Sequence, residues 1–323
     1  MRARELKQLL SMATRLTPHQ RGQLQARLAS DLALDEALAM IEASLPEQPA
    51  CPSCQHERTV RNGQANGLQR YKCRECGTTF NALTGTPLAR LRRRDLWLQQ
   101  ARALDEGLSV RKAAQRMGVH RTTAFRWRHR FVMVARGVKA KQLHGVAEVD
   151  ETYVLRSFKG QPRRLAELSG RQARRPRRRG GHARKRGLSD EQVPILVLRD
   201  RAGQTTDEVQ SNASRRCVAP VIRATLAADT VLCTDGSNML ANVARDLELE
   251  HQAVNTSRGE RIRGAWHIQN VNAYHGRWKE WMRRFKGVAT SYLPSYLGWF
   301  RALDRNAQTG AKPSDLLTLA IRA

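Results

Sequence analysis

At 323 residues the chain is long enough for two or three domains with real cores, and its 57 lysines and arginines against 29 acids give a formal charge of +28 and a pI near 11.2. That balance makes a polyanion the default partner, nucleic acid before membrane. No apolar run reaches the roughly 18 residues of a spanning helix, and charges break the N-terminal MRARELKQLLSMATRL, so neither a membrane span nor a signal peptide is supported and a cytoplasmic, nucleoid-associated protein is expected.

Residues 1–46 show helical periodicity, with Thr17 as a cap and Pro18 at the first helical position of LTPHQRGQLQARL, and are read as a helical N-terminal segment. PEQPA (46–50) breaks that pattern and leads into a module over 47–82. Here Cys51, Cys54, Cys73 and Cys76 follow C-x2-C-x18-C-x2-C. Two thiolates two residues apart grip a metal from a tight knuckle, and a second pair completes the tetrahedral shell of structural zinc. RYKC and GTTF supply strand-like segments, the pattern of a zinc ribbon. Four protein ligands leave no open position for substrate, so the site reads as structural.

From 88 to 135 the pattern is helical again. In SVRKAAQRMGVHRTTAFRWRHRF (109–131), Ser109 can cap a helix carrying Ala113 and Ala114, the MGV turn reverses the chain, and a second helix begins near His120. Small residues before a glycine turn let two helices cross closely, the helix-turn-helix arrangement. His120, Arg121, Thr122 and Arg126 are then candidate base or phosphate contacts, and Val119, Ala124, Phe125 and Trp127 contain the packing candidates.

From 144 to 306 strands mix with helices, which indicates an α/β domain. GVAEVDETYVL has the period of a strand, VPILVLRDRAGQTTDEV reads as a hairpin, APVIRATLAA as a helix, TVLCTDG as a buried strand ending in a turn, NMLANVARDLEL as a helix and HQAVNT as a short strand. Between Arg156 and Arg186 stand thirteen basic residues and one acid, Glu167. That composition cannot bury a core, so a disordered basic insertion is expected over about 156–188, with Arg177, Arg178 and Arg179 as candidate phosphate contacts. In VNAYHGRWKEWMRRF (271–285), Tyr274, Trp278, Trp281 and Phe285 share one helical face and Asn272, His275, Lys279 and Arg283 lie roughly opposite, with His275 read as a surface residue. Residues 307–323 read as a C-terminal tail.

Asp150 interrupts an apolar strand and Asp235 ends another. A lone aspartate at a strand end is most often a cap or turn residue. Two in one α/β domain can instead converge on divalent cations, with oxygen ligands that suit magnesium.

Zinc ribbon, helix-turn-helix, AEVDETYV, TDGS and HIQNVNAYHGRWKEW together resemble the bacterial insertion-sequence transposases with a ribonuclease H-like DDE domain, the branch with N-terminal zinc-ribbon modules, over roughly residues 47–304. The resemblance implies a mixed-sheet catalytic domain that binds terminal inverted repeats of double-stranded DNA, cleaves and transfers strands with Mg2+ or Mn2+, and self-associates on DNA. It places Asp150 and Asp235 at the first two acidic positions. The third position, usually Glu after a His-x-x-Asn pattern and followed seven residues later by Lys, is matched by His267, Asn270, Asn272 and Lys279, so an amide replaces the carboxylate. Asn272 is then a neutral third ligand or orienter and Lys279 a phosphate contact. Glu280 and Glu260 rank lower as third acids, and His267 reads equally as a structural or a site residue. The rival reading is a DNA-binding regulator with an inert transposase-like domain.

Overall fold

The computed structural model describes residues 2–168, 175, 181, 183–185, 189–255, 258–309 and 315–321. The chain divides into two compact units, Met1–Glu106, Val110–Phe131 and Pro313–Ala323 in the first, Gly107–Ser109 and Val132–Lys312 in the second.

The first unit starts with helices α1 (Ala3–Ala13) and α2 (Pro18–Glu42). Thr17 caps α2 as its sequence position predicts, accepting the Gln20 backbone N–H at 3.3 Å. A three-stranded antiparallel sheet of β1 (Thr59–Ala65), β2 (Leu68–Cys73) and β3 (Thr79–Phe80) follows. Asn66 and Gly67, both at positive φ (53° and 74°), make the two-residue hairpin turn. A Cβ at Gly67 would lie 2.8 Å from Leu38 Cδ1 on α2, so that side chain would have to shift, and the positive φ favours glycine there in any case. Helices α3 (Trp97–Asp105), α4 (Val110–Met117) and α5 (Arg121–Val132) come next, with Gly118 at φ 62° in the turn between the last two. Trp97, Leu104, Ala113, Ala114, Met117, Ala124, Trp127 and Phe131 are buried. Phe125 departs from its expected packing role: it is 39% exposed, its ring edge-on to His129 at 4.4 Å.

In the second unit, β4 (Val146–Leu155) is followed by α6 (Pro162–Ala166), β5 (Gln192–Asp200), β6 (Thr205–Val209), α7 (Arg215–Thr225), β7 (Val231–Thr234), α8 (Asn238–Asp246), β8 (His251–Ala253), α9 (Gln269–Arg283) and α10 (Leu293–Thr309). The sheet order is β6-β5-β4-β7-β8, with β4, β5 and β6 antiparallel and β7 and β8 parallel to β4. Alternation along β4 divides its work. Ala147 and Val149 join Val218, Ile222, Leu240 and Val243 of α7 and α8 in one core, whereas Glu148 and Asp150 project to the opposite face, which α9 covers. Tyr274, Trp278 and Trp281 of α9 are buried as their spacing predicts, and Trp281 meets Trp299 and Phe300 of α10 at 4.8 and 5.5 Å. Arg301 of α10 pairs with Asp207 of β6, which also accepts the Tyr274 hydroxyl at 2.8 Å.

The expected disordered insertion begins with ordered residues. The Ser157 carbonyl accepts the Thr290 N–H at 2.9 Å and the Ser157 N–H donates to Thr290 Oγ1 at 2.8 Å, and Lys159 Nζ donates to the carbonyls of Lys286 and Gly287 at 3.3 and 2.7 Å, just past the end of α9. A cation is favoured where helix carbonyls are left without partners, so the basic composition here fastens the chain to the fold. The expected C-terminal tail contains α11 (Asp315–Ile321), part of the first unit, where Leu316, Leu317 and Ala320 are fully buried; seven residues with that much apolar surface form an amphipathic helix once α2 and α3 offer a partner.

Gly298 in α10 faces the backbone at Ala135, where an added Cβ would lie 2.2 Å from the carbonyl oxygen. Gly298→Ala should therefore destabilise the protein by about 2 kcal/mol or more in urea unfolding, overpacking outweighing helix propensity. Gly276→Ala in α9, where nothing lies within 4 Å of the new methyl, should instead gain about 0.5–1 kcal/mol; equal effects at both positions would remove the close approach as the cause.

Candidate functional site

The four cysteines fold into a metal-sized cluster. Their sulfurs all lie within 4.8 Å of one another, and the pairs Cys51–Cys76 and Cys54–Cys73 are 3.6 Å apart. Four sulfurs bound tetrahedrally at about 2.3 Å lie about 3.8 Å apart, so the donor set fits one such ion. Each knuckle turns back through a residue at positive φ, Gln55 (60°) and Gly77 (72°), and offers a backbone N–H to a sulfur, Ser53 to Cys51 and Glu75 to Cys73, both at 3.4 Å. Tyr71 stacked on Phe80 at 5.6 Å completes a small core with Cys51 and Cys73. This is a zinc-ribbon arrangement.

On α5, His120, Arg121, Thr122 and Arg126 are all exposed at its N-terminal end, while Ala124 and Trp127 are buried. His120 also caps the helix, its Nδ1 accepting from the Thr122 N–H at 3.3 Å. A free face of positive side chains at the start of the second helix is what a recognition helix presents to a groove. Arg177, Arg178 and Arg179 lie outside the described residues.

The aspartates meet through strand register. Parallel pairing of β4 with β7 runs from Val146↔Val231 to Val149↔Thr234, so Asp150 and Asp235 take the next step on adjacent strands, about 4.8 Å apart. β7 stops there because Gly236 (φ 85°) turns the chain, Asp235 Oδ1 accepts the Ser237 N–H at 2.9 Å, and Ser237 caps α8 through the Leu240 N–H. Burial, then the like charge of Asp235, pushes the Asp150 carboxyl up to about 7, while Lys279 pulls it down. Glu151 is also raised to about 7 by burial and by Asp150 and Asp235. Partly desolvated acids crowded together are short of positive charge, and a cation would relieve them. Among the described residues, the cysteines alone already have three or more donor atoms converging on one point; Asp150 and Asp235 would reach a shared ion by side-chain rotation.

Helix α9 is held to this strand by a residue the sequence reading passed over. Glu148 is fully buried two positions before Asp150. Its carboxylate accepts the Val271 backbone N–H and the Asn270 Nδ2 at 2.9 Å each, meets Arg201 Nη1 at 2.7 Å, and has His267 Nδ1 3.3 Å away. The His-x-x-Asn pattern is thereby explained as an anchor: His267 and Asn270 position α9. From Glu148 to Asp150 the strand rises about 6.6 Å, and from Val271 to His275 the helix rises about 6 Å, so the two elements keep step. His275 thus faces Asp150, with Nδ1 3.6 Å from Oδ2. The expectation of a surface histidine fails, since His275 is only 7% exposed; burial and then Lys279 lower it to about 3. Its partner lies 125 residues away in the chain, beyond the reach of a helical wheel.

Lys279 is exposed, with an ammonium lowered by desolvation and raised by Asp150. Asn272 is exposed one turn before His275, and its backbone N–H donates to Ile268 at 3.1 Å. Glu280 is exposed and pairs with Arg283 at 2.6 Å, and Glu260 accepts the Asn255 N–H at 2.8 Å in a loop.

Residues 142–301 match the ISXO2-like transposase domain and residues 91–140 a homeodomain-like domain. An uncharacterized protein in transposable element ISH50 of Halobacterium salinarum is 27% identical over 256 residues, 78% of this chain and 83% of that protein. No helix among the described residues is long and apolar enough to cross a membrane.

Because Asp150 keeps its proton to about pH 7 when folded but only to about 4 when unfolded, the metal-free fold loses stability as pH rises from about 4 to 7 and stays lower above. Asp150→Asn should therefore be more stable than the parent at pH 8, by about 2–4 kcal/mol, with the gain fading toward pH 4. A gain that does not vary with pH would remove the buried charge as its source.

Proposed function

We propose that this chain, an insertion-sequence transposase with a zinc ribbon, a helix-turn-helix DNA-binding domain and a DDE domain of ribonuclease H-like type, cleaves phosphodiesters at the ends of its element and joins the freed 3′ hydroxyl to target DNA. The observation that carries this reading is the register that sets Asp150 beside Asp235 on neighbouring parallel strands. These two carboxylates hold a divalent cation, Mg2+ or Mn2+. When bound, that cation supplies Lewis-acid activation of the attacking oxygen and offsets charge on the phosphate.

The chain's own groups do the rest. Lys279, one helical turn past His275 on α9 and within the field of Asp150, meets a phosphate oxygen of the DNA. Asn272 orients water or substrate through its amide, with no negative charge of its own. His120, Arg121, Thr122 and Arg126 read the terminal inverted repeats, the four cysteines hold a structural Zn2+, and Arg177, Arg178 and Arg179 add phosphate contacts that steepen salt dependence. Two ends must be brought together, which calls for self-association on DNA. The rival reading, a DNA-binding regulator with an inert catalytic domain, is favoured by the amide at position 272.

Incubating the protein and Mg2+ or Mn2+ with DNA carrying the element's ends separates the two. Asp150→Asn and Asp235→Asn should lower nicking by roughly 100-fold or more and keep DNA binding, with Glu280→Ala close to the parent. Uncut DNA with the parent, or variants that cut as well, would leave the regulator standing. The zinc assignment has its own test. One equivalent of zinc per chain should shield Cys54 and Cys76, which are exposed, from a thiol reagent until a chelator is added; immediate reaction of the zinc-loaded protein at both would contradict it.

A further inference from the structure

We propose that His275 is a ligand of the divalent cation at the Asp150 and Asp235 site, occupying the coordination role that Asn272 leaves without a carboxylate. The inference rests on the reading of those two aspartates as metal ligands. Three observations carry it. First, the imidazole is buried at 7% exposure and projects from α9 onto the face of β4 that bears Asp150. Second, its Nδ1 stands 3.6 Å from Asp150 Oδ2, too far for a hydrogen bond and a few tenths of an ångström beyond the roughly 3.0–3.4 Å that separates two donors bound to one ion at about 2.1 Å, so a small side-chain rotation brings both onto it. Third, the ring's other nitrogen, Nε2, is buried with no hydrogen-bond partner among the described residues, so no hydrogen bond through it ties the ring elsewhere. A neutral imidazole beside an acid and short of a hydrogen bond is a metal ligand in waiting.

The geometry of α9 explains why the ligand moves along the helix. Asn272 lies one turn earlier and about 60° around the axis, exposed, whereas His275 is the polar residue that the Glu148 anchor brings opposite Asp150. An oxygen, oxygen, nitrogen donor set also changes which ion is preferred. Mg2+ is a hard cation that keeps oxygen ligands and water, while an imidazole nitrogen favours transition-metal ions, of which Mn2+ gains least but still accepts nitrogen more readily than Mg2+. The site should bind Mn2+ at least about tenfold more tightly than Mg2+, and His275→Gln should erase most of that difference.

The decisive readout is spectroscopic and needs no turnover. Full-length, zinc-loaded protein is titrated with Mn2+ and examined by pulsed electron paramagnetic resonance. The parent should show 14N modulation from a directly bound nitrogen, His275→Gln should keep bound Mn2+ at about tenfold weaker affinity without that modulation, and Asp150→Asn should lose the ion. Should His275→Gln fail to fold, parent protein grown with 15N-labelled histidine must replace the 14N pattern by that of 15N. Mn2+ that depends on Asp150 and Asp235 but shows no histidine nitrogen overturns the inference alone. Mn2+ that binds regardless of Asp150 overturns the reading of the aspartates, and the inference with it.

Discussion

The carboxylate of Glu148 is the fixed point of the second unit. A fully buried carboxylate carries a desolvation cost of several kcal/mol unless its oxygens are met by charge and hydrogen bonds, and here Arg201, Asn270 and the Val271 N–H meet them. Since Asn270 and Val271 open α9, satisfying the charge also sets where the helix begins and which way it faces. His275 and Lys279 are placed opposite the acidic strand as a result. Asp207 and Asp304 repeat the device farther along: Asp207 joins Tyr274 of α9 to Arg301 of α10, and Asp304 of α10 joins Arg277 of α9 to Arg199 of β5. Three acids therefore tie two helices to one sheet, and the aromatic cluster fills the space they define.

Much of this was legible in the sequence because it is written in short-range pattern. Cysteine spacing announced the metal-sized cluster, Thr17 and Pro18 the start of α2, and apolar runs interrupted by Asp150 and ended by Asp235 the two strands that pair there. What was missed depends on partners distant in the chain. Glu148 reads as one more polar residue in AEVDET, although a strand with apolar Ala147 and Val149 on one face and two acids on the other already hints that the acidic face is covered. His275 was assigned to solvent because a helical wheel knows nothing of a strand 125 residues earlier. Phe125 was a packing candidate by its chemistry, yet it is 39% exposed while Ala113, Ala114 and Trp127 are buried. Lys159, seen only as part of a basic run, is held by carbonyls past α9.

Charge is organised on two scales. The chain as a whole is strongly cationic, which draws nucleic acid at long range. Asp150, Glu151 and Asp235 make a local exception in which acids are crowded and partly dehydrated. An anionic pocket inside a cationic surface can gather a metal ion and a polyanion in the same place without either field cancelling the other, because the first acts over a few ångströms and the second over about a Debye length.

The connection between β4 and β5 carries one further consequence. These strands pair as an antiparallel hairpin from Ala147↔Asp200 to Leu155↔Gln192, yet 36 residues, 156–191, join them where a tight turn would serve. Closing so long a loop costs only about 2 kcal/mol more than closing one of four residues, since the entropy grows with the logarithm of length. The nine-residue ladder sets its own register without help from a turn. That end of the sheet is thus a place where evolution can lengthen, shorten or recode the chain at little cost to the strand bearing Asp150.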